Sequence, residues 1–159
     1  MQKKDGDDMT STNILDFPIA PNQEAVVSSE PLKTILHVDD DADIRTIIKM
    51  ALETVGSFDV HQFASGQEAV DAVGSVHPQL LLLDVMMPDM SGEDVWRKLT
   101  AKPEAAGLPA VFLTAKAEDS FSQELLQKGA LAVITKPVDP MLLSSQIEEI
   151  WQQAKAPES

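Results

Sequence analysis

From about residue 33 onward, short apolar runs alternate with stretches in which apolar residues recur at helical spacing. A short apolar run between turn residues predicts a β-strand that is buried on both faces, because such a strand needs no alternation of polar and apolar positions. Strands are predicted at residues 34–38, 58–63, 80–83, 109–113 and 131–134. Strands that alternate with helices indicate an α/β domain with a parallel sheet covered by helices on both faces.

Five amphipathic helices are predicted between and after these strands. The first has apolar residues at helical spacing from Ile44 to Val55, and Gly56 stands where a C-cap is expected. Ser65 and Ser91 each precede an acidic residue by three positions, which is typical of an N-terminal cap. The fourth helix is expected over 120–128 and closed by Gly129, and the fifth is expected to open at Asp139 and Pro140.

The first 32 residues show no sustained period and carry three prolines among polar residues. Such a composition cannot bury enough apolar surface to order the chain. We therefore interpret residues 1–32 as a flexible tail, 33–154 as one folded domain and 155–159 as a short C-terminal tail. A small apolar cluster at 14–19 leaves open a docking role for the tail.

Composition and charge exclude several function classes. A formal net charge of −14 argues against nucleic acid or an anionic membrane as a partner, because both repel an acidic surface. The absence of cysteine excludes disulfides, thiolate catalysis and zinc–sulfur sites. No apolar stretch is long enough for a membrane helix or typical of a signal peptide. We expect a cytoplasmic protein without membrane insertion.

Chemically useful side chains follow the predicted strands. Asp39 and Asp40 come after the first strand and Asp84 after the third, while Thr114 and Lys136 follow the fourth and fifth. The carboxyl ends of parallel strands meet at one edge of a sheet, where α/β folds place their ligands. Clustered carboxylates repel one another unless they bind protons or a cation, and oxygen ligands suit Mg²⁺. A lysine binds phosphate and a hydroxyl can donate to it, so the set predicts phosphoryl transfer to an aspartate.

Taken together and in order, these motifs resemble the response-regulator receiver domain of two-component signalling, over residues 34 to about 153. The matching segments are Val38-Asp39-Asp40, Leu83 to Gly92, Leu113-Thr114-Ala115 and Lys136-Pro137. The resemblance implies a doubly wound, flavodoxin-like parallel sheet of five strands in the order 2-1-3-4-5, with five helices.

The resemblance also implies roles for single residues. Asp84 would accept a phosphoryl group from a phosphohistidine on a histidine kinase or a histidine phosphotransfer protein. Lys136 would pair with Asp84 and then with the phosphoryl oxygens, and Thr114 would report phosphorylation by moving toward the phosphate. The implied ligands of Mg²⁺ are Asp40 and Asp84 directly, Asp39 through water, and the backbone carbonyl of Met86.

Two further details follow from the resemblance. The Lys136–Pro137 peptide bond is expected to be cis. The family often has an aromatic residue three positions before the lysine, where it is coupled to the threonine as a switch. Here that position is Val133, so an aromatic switch is absent at that site, which leaves the mode of signal transmission open without affecting the expected phosphorylation.

The expected function is that of a stand-alone receiver, a phosphoacceptor rather than a conventional enzyme. Few residues follow the last predicted helix, so output is expected through an unknown downstream protein partner or through shuttling in a phosphorelay. Two alternatives stay open. One is an interaction module of the same fold that works without phosphorylation. The other is an aspartate-nucleophile phosphatase, which is disfavoured because Met86 stands where such enzymes place a second acid.

Overall fold

Five parallel strands form one sheet in the computed structural model, which describes residues 29–117 and 119–155. Their order across the sheet is β2-β1-β3-β4-β5, and each neighbouring pair is parallel. The predicted fold class and strand order are therefore confirmed. The strands are β1 Thr34–Val38, β2 Asp59–Phe63, β3 Leu80–Asp84, β4 Ala110–Thr114 and β5 Ala132–Thr135.

Five α-helices connect and flank the strands. They are α1 Ala42–Met50, α2 Gly66–Val76, α3 Gly92–Thr100, α4 Ser120–Gln127 and α5 Leu143–Ala154. A π-helical segment, Ala51–Val55, continues α1, and a short 3₁₀ turn, Pro103–Ala105, follows α3. No helix in the described part of the chain combines the length and the apolar character needed to cross a membrane.

The four leucines of β3 serve two separate cores. Leu80 and Leu82 belong to the apolar cluster that contains residues of α1 and α5, whereas Leu81 and Leu83 belong to the cluster that contains residues of α2, α3 and α4. All four are fully buried. Side chains of successive strand residues point to opposite faces, so a strand covered on both faces must be apolar throughout. Each buried leucine stabilises the fold by about 1.5–3 kcal/mol.

Side-chain caps fix the starts of four helices. Ser65 Oγ accepts the N–H of Glu68, and Ser91 Oγ accepts the N–H of Asp94, as the sequence pattern predicted. Asp41 caps α1 and Asp119 caps α4 in the same way. Each cap satisfies backbone donors that have no partner inside the helix. The strand-to-helix turns at the sheet edge are thereby held in place.

Gly56 is the C-cap of the segment that ends the first helix, as predicted, but it does not take the left-handed conformation that is common at such caps. Gly56 has a φ of −103°, and Ser57 takes the positive φ of 65°. A side chain at position 56 would instead meet α5, because a Cβ there would lie 2.2 Å from Ser144 Oγ. Ser144 Oγ donates to the carbonyl of Ala51 at 2.7 Å. Close packing of α5, rather than backbone conformation, therefore requires glycine here.

The fifth helix also begins later than predicted. Asp139 Oδ1 accepts the N–H of Met141, and the Asp139 carbonyl accepts the N–H groups of Leu142 and Leu143. These contacts form a turn, and the regular helix starts at Leu143. An aspartate before a proline can cap either an isolated turn or the first turn of a helix. The sequence pattern therefore could not show which of the two forms at Asp139.

Residues 29–32 contact the folded domain. The indole Nε1–H of Trp151 donates to the carbonyl of Glu30 at 2.9 Å, and Gln79 Nε2 donates to the carbonyl of Pro31 at 3.0 Å. Leu32 is buried in the cluster that contains α1 and α5. The rest of the predicted N-terminal tail, residues 1–28, and nearly all of the predicted C-terminal tail, residues 156–159, lie outside the described residues.

The first residue of α3 packs directly against the end of β3. A Cβ at Gly92 would lie 2.3 Å from the backbone carbonyl oxygen of Asp84. We predict that Gly92→Ala lowers the free energy of unfolding by about 1–3 kcal/mol, because neither backbone can move away cheaply. Chemical denaturation measures the change.

Gly74→Ala is the matched control for this substitution. Gly74 lies inside α2, and its nearest neighbour would be the flexible carboxylate of Glu104 at 3.0 Å. Alanine is a better helix former than glycine by roughly 1 kcal/mol, so this variant should be neutral or more stable. Equal losses in the two variants would contradict the packing argument.

Candidate functional site

Three carboxylates meet at the carboxyl edge of the sheet. Asp39, Asp40 and Asp84 each offer an oxygen that lies within 4.8 Å of those of the other two. The register explains this meeting, because Val38 pairs with Leu83 and the acids follow these residues on adjacent strands. Asp39 and Asp84 are buried, whereas Asp40 is exposed. The cluster therefore has a sheltered base and an open side.

One lysine faces these acids. Lys136 Nζ lies 3.0 Å from Asp84 Oδ1 and 3.9 Å from Asp39 Oδ2. Lys136 follows β5 directly, and its backbone N–H donates to the carbonyl of Thr114 at 2.7 Å. The contact with Asp84 is a charge-assisted hydrogen bond, which is stronger than a neutral one. One ammonium group against three carboxylates leaves the cluster with excess negative charge.

Thr114 and Met86 border the cluster. Thr114 is buried at the end of β4, and its Oγ1 accepts the N–H of Lys116 at 3.4 Å. The backbone of Met86 acts to lower the pKa of Asp84, while the side chain of Met86 is 78% exposed. The carbonyl of Met86 as a metal ligand stays a prediction. The Lys136–Pro137 peptide bond is cis, as the resemblance implied.

Burial dominates the electrostatics of the two sheltered acids. It raises the pKa of Asp39 to about 6, with the N–H of Asp41 opposing this shift and the charge of Asp84 adding to it. Burial also raises the pKa of Asp84, and the hydrogen bond from Lys136 opposes that shift. Removing a carboxylate from water disfavours its charged form. The cluster is thus poised to bind a cation.

The donor set suits a hard divalent cation. All three side chains offer carboxylate oxygens, and Asp39 Oδ2 is buried without a hydrogen-bond partner among the described residues. An ionised oxygen in that position needs a positive neighbour to offset its lost hydration. Mg²⁺ is commonly held by one or two carboxylates, with the remaining positions left to water and phosphate. The residues present therefore fit such an ion.

A polar network that the sequence pattern does not reveal lies behind Asp39. His37 is fully buried on β1, and burial lowers its pKa to about 3, with the charges of Arg45 and Lys136 adding to the effect. Its Nδ1 lies 3.0 Å from Gln62 Nε2, and Arg45 Nη1 donates to the carbonyl of Asp39 at 2.7 Å. The signal available in the sequence was a histidine inside an otherwise apolar strand.

With this geometry in place, the family assignment follows. Residues 35–148 match the response regulator receiver domain, so the chain belongs to this family. It is 36% identical over 121 residues to the phosphate regulon transcriptional regulatory protein PhoB of Pseudomonas aeruginosa. That match covers 76% of this chain and 52% of the relative. The chain thus spans about half the length of the transcriptional regulators that it matches.

Solved structures of receiver proteins share the fold. The chemotaxis protein CheY4 of Vibrio cholerae superposes with a TM-score of 0.68 at 25% identity, covering 75% of this chain and 98% of its own. A CheY-like receiver domain protein from Methanospirillum hungatei JF-1 gives a TM-score of 0.66 at 32% identity, covering 77% and 96%. These likenesses agree with the strand order of the sheet.

Because the pKa of Asp39 is raised, we predict that removing its charge increases the free energy of unfolding by an amount that depends on pH. Above pH 6 the charged carboxylate of Asp39 lowers the free energy of unfolding. The shift of its pKa from 3.8 to about 6 corresponds to a reduction of at most about 3 kcal/mol. As the pH falls through 6 toward 3.8, the folded protein takes up the proton and this cost is lost. Asp39→Asn should therefore stabilise the metal-free protein at about pH 7.5 and have little effect near pH 4.

Chemical denaturation in a metal chelator at the two pH values measures this difference. Asp43→Asn is a suitable control, since Asp43 is an exposed acid of the neighbouring helix α1. Exposed substitutions usually change stability by no more than about 0.5 kcal/mol. A gain from Asp39→Asn that is the same at both pH values would show that its buried charge is not the source.

Proposed function

We propose that Asp84 is the phosphoacceptor of this receiver domain and takes its phosphoryl group from a histidine kinase or a histidine phosphotransfer protein. The observation that carries the proposal is the 3.0 Å contact between Lys136 Nζ and Asp84 Oδ1 inside a three-carboxylate cluster. A carboxylate nucleophile beside a fixed cation is the arrangement that phosphoryl transfer requires. The protein itself acts as a signalling phosphoprotein rather than as a conventional enzyme.

In the transfer step, a carboxylate oxygen of Asp84 attacks the phosphorus of a phosphoimidazole. The new P–O bond gives an acyl phosphate, and the P–N bond breaks with its electron pair passing to the departing imidazole. Lys136 faces the attacking carboxylate and neutralises charge on the phosphoryl oxygens. Burial of Asp84 keeps water away from the bond that forms.

The cofactor of this proposal is Mg²⁺. Asp39, Asp40, Asp84 and the carbonyl of Met86 would hold it, and the close approach of the three carboxylates supports this assignment. When bound, the cation supplies positive charge to the phosphoryl oxygens in the transition state. Among the described residues that contact these acids, Lys136 carries too little positive charge to balance them, so a divalent ion would complete the charge at this edge of the sheet.

A path of hydrogen bonds supports Thr114 as the residue that reports phosphorylation. Thr114 Oγ1 accepts the N–H of Lys116, and the carbonyl of Lys116 accepts the hydroxyl of Ser122 at 3.0 Å. Ser122 is fully buried on α4. A turn of the Thr114 hydroxyl toward a phosphoryl group would break the first contact and loosen the loop before α4. This route does not need an aromatic side chain at Val133, which is fully buried.

The output of this switch is the binding of a downstream protein, or onward transfer in a phosphorelay. We place it on the face formed by α4, β5 and α5, because the path from Thr114 leads to α4. A shift from mostly one surface state to mostly the other needs only about 5.5 kcal/mol of differential interaction. The net charge of −14 disfavours nucleic acid as the direct partner, and a chain without cysteine fits the cytoplasm.

Incubation with a small phosphodonor and Mg²⁺ should add one phosphoryl group to the protein. Asp84→Asn should abolish this addition, because the amide is a poor nucleophile and no longer pairs with Lys136. Intact-mass spectrometry measures it. Asp89→Asn is the matched control, since Asp89 is an exposed acid of the following loop and should not affect labelling. Labelling that survives Asp84→Asn would contradict the proposal, whereas Asp89→Asn should be labelled to the same extent as the wild type.

A further inference from the structure

Two buried polar atoms lie close together behind the acidic cluster. In the part of the chain that the structure describes, His37 Nε2 and Asp39 Oδ2 are buried side-chain atoms without a hydrogen-bond partner. They lie 3.9 Å apart, and both side chains are fully buried. A buried polar group left without a partner costs about 1–3 kcal/mol. Two such atoms beside one another therefore need a physical explanation.

Gln62 fixes the proton of the His37 ring. Gln62 Nε2 lies 2.8 Å from the carbonyl oxygen of Arg45, which can only accept a hydrogen bond. The atom of Gln62 in this position must therefore be the amide nitrogen, and its second N–H is directed to His37 Nδ1 at 3.0 Å. Since Nδ1 accepts, the neutral ring carries its proton on Nε2. The nitrogen nearest to Asp39 is thus a donor.

Asp39 is fixed by hydrogen bonds to its other two oxygen atoms. Its Oδ1 accepts the N–H of Asp41 at 3.0 Å, and its backbone carbonyl accepts Arg45 Nη1. Its Oδ2 lies 3.9 Å from His37 Nε2 on one side and 3.9 Å from Lys136 Nζ on the other. A separation of 3.9 Å is too long for a direct hydrogen bond. A small rotation of the carboxylate would complete the contact with the donor of His37.

We propose that His37 and Gln62 position the carboxylate of Asp39 for the cation, with Gln62 fixing the tautomer and the Nε2–H of His37 orienting Oδ2. The inference rests on the proposed function only in taking Asp39 as part of the metal centre. Partners behind a metal ligand typically change metal affinity by about 10–100-fold when removed. A merely structural histidine would affect stability and leave that affinity unchanged.

Two substitutions remove different contacts in the series that runs from Gln62 through His37 to Asp39. His37→Phe keeps a ring in the core but removes the donor to Asp39. Gln62→Leu leaves His37 and Asp39 untouched but removes the donor that holds Nδ1 as an acceptor, so the Nε2–H tautomer of His37 is no longer fixed. Each should weaken Mg²⁺ binding by about tenfold or more. The double variant should bind no more weakly than His37→Phe, because both residues act through the same contact.

Isothermal titration calorimetry with MgCl₂ on the full chain measures the affinity. His61→Phe is the control, because His61 neighbours Gln62 on β2 and pairs with Asp59 away from the cluster. It should bind Mg²⁺ within about twofold of the wild type. Long-range ¹H–¹⁵N NMR of the metal-free protein adds an independent reading, with the His37 proton expected on Nε2 in the wild type and distributed over both ring nitrogens in Gln62→Leu.

Several results separate this inference from the proposed function. A proton on Nδ1 of wild-type His37, or wild-type Mg²⁺ affinity in folded His37→Phe or in Gln62→Leu, would overturn the positioning role while Asp84 still takes a phosphoryl group. If His37→Phe does not fold, the Mg²⁺ affinity of Gln62→Leu and the NMR spectrum of wild-type His37 test the positioning role. A wild-type protein that binds no Mg²⁺ would overturn both this inference and the proposed cofactor.

Discussion

The structure depends on holding Asp39 and Asp84 close together in a sheltered position at the end of two adjacent strands. Two buried carboxylates repel one another, and the ammonium of Lys136 offsets only part of that repulsion. The leucine-rich strand β3 makes the arrangement possible, because it is packed on both faces and fixes the backbone that carries Asp84. The stability of the apolar cores thus sustains a cluster that is unfavourable by itself.

The burial of these carboxylates, which the apolar cores make possible, also explains the chemistry of the acidic cluster. A carboxylate that has lost water binds a cation or a phosphoryl group with little further rearrangement, since the desolvation has already occurred on folding. The backbone around Asp84 is equally constrained, because Gly92 packs against its carbonyl and the N–H of Gly92 donates to Val85. The backbone that carries Asp84 therefore has little freedom to move.

Sequence patterns were sufficient for the features that depend on local chemistry. Apolar runs revealed the strands, serine and acidic residues revealed caps such as Ser65, and the strand-end acids predicted the cluster. The features that were missed depend on contacts between distant elements. Gly56 accommodates Ser144 of α5, and His37 is linked to Gln62 of the neighbouring strand β2. No periodicity within a single segment reports such a contact, so the polar network behind Asp39 could be recognised only in three dimensions.

The most direct test of the account is to locate the phosphoryl group on the chain. Borohydride reduction of the phosphorylated protein converts an acyl phosphate to an alcohol, and peptide sequencing by mass spectrometry then identifies the residue that carried it. We predict homoserine at position 84, dependent on Mg²⁺. Reduction at Asp39 or Asp40 with Asp84 unchanged would contradict the central claim, because it would move the nucleophile from the contact with Lys136 to a side chain assigned to the metal.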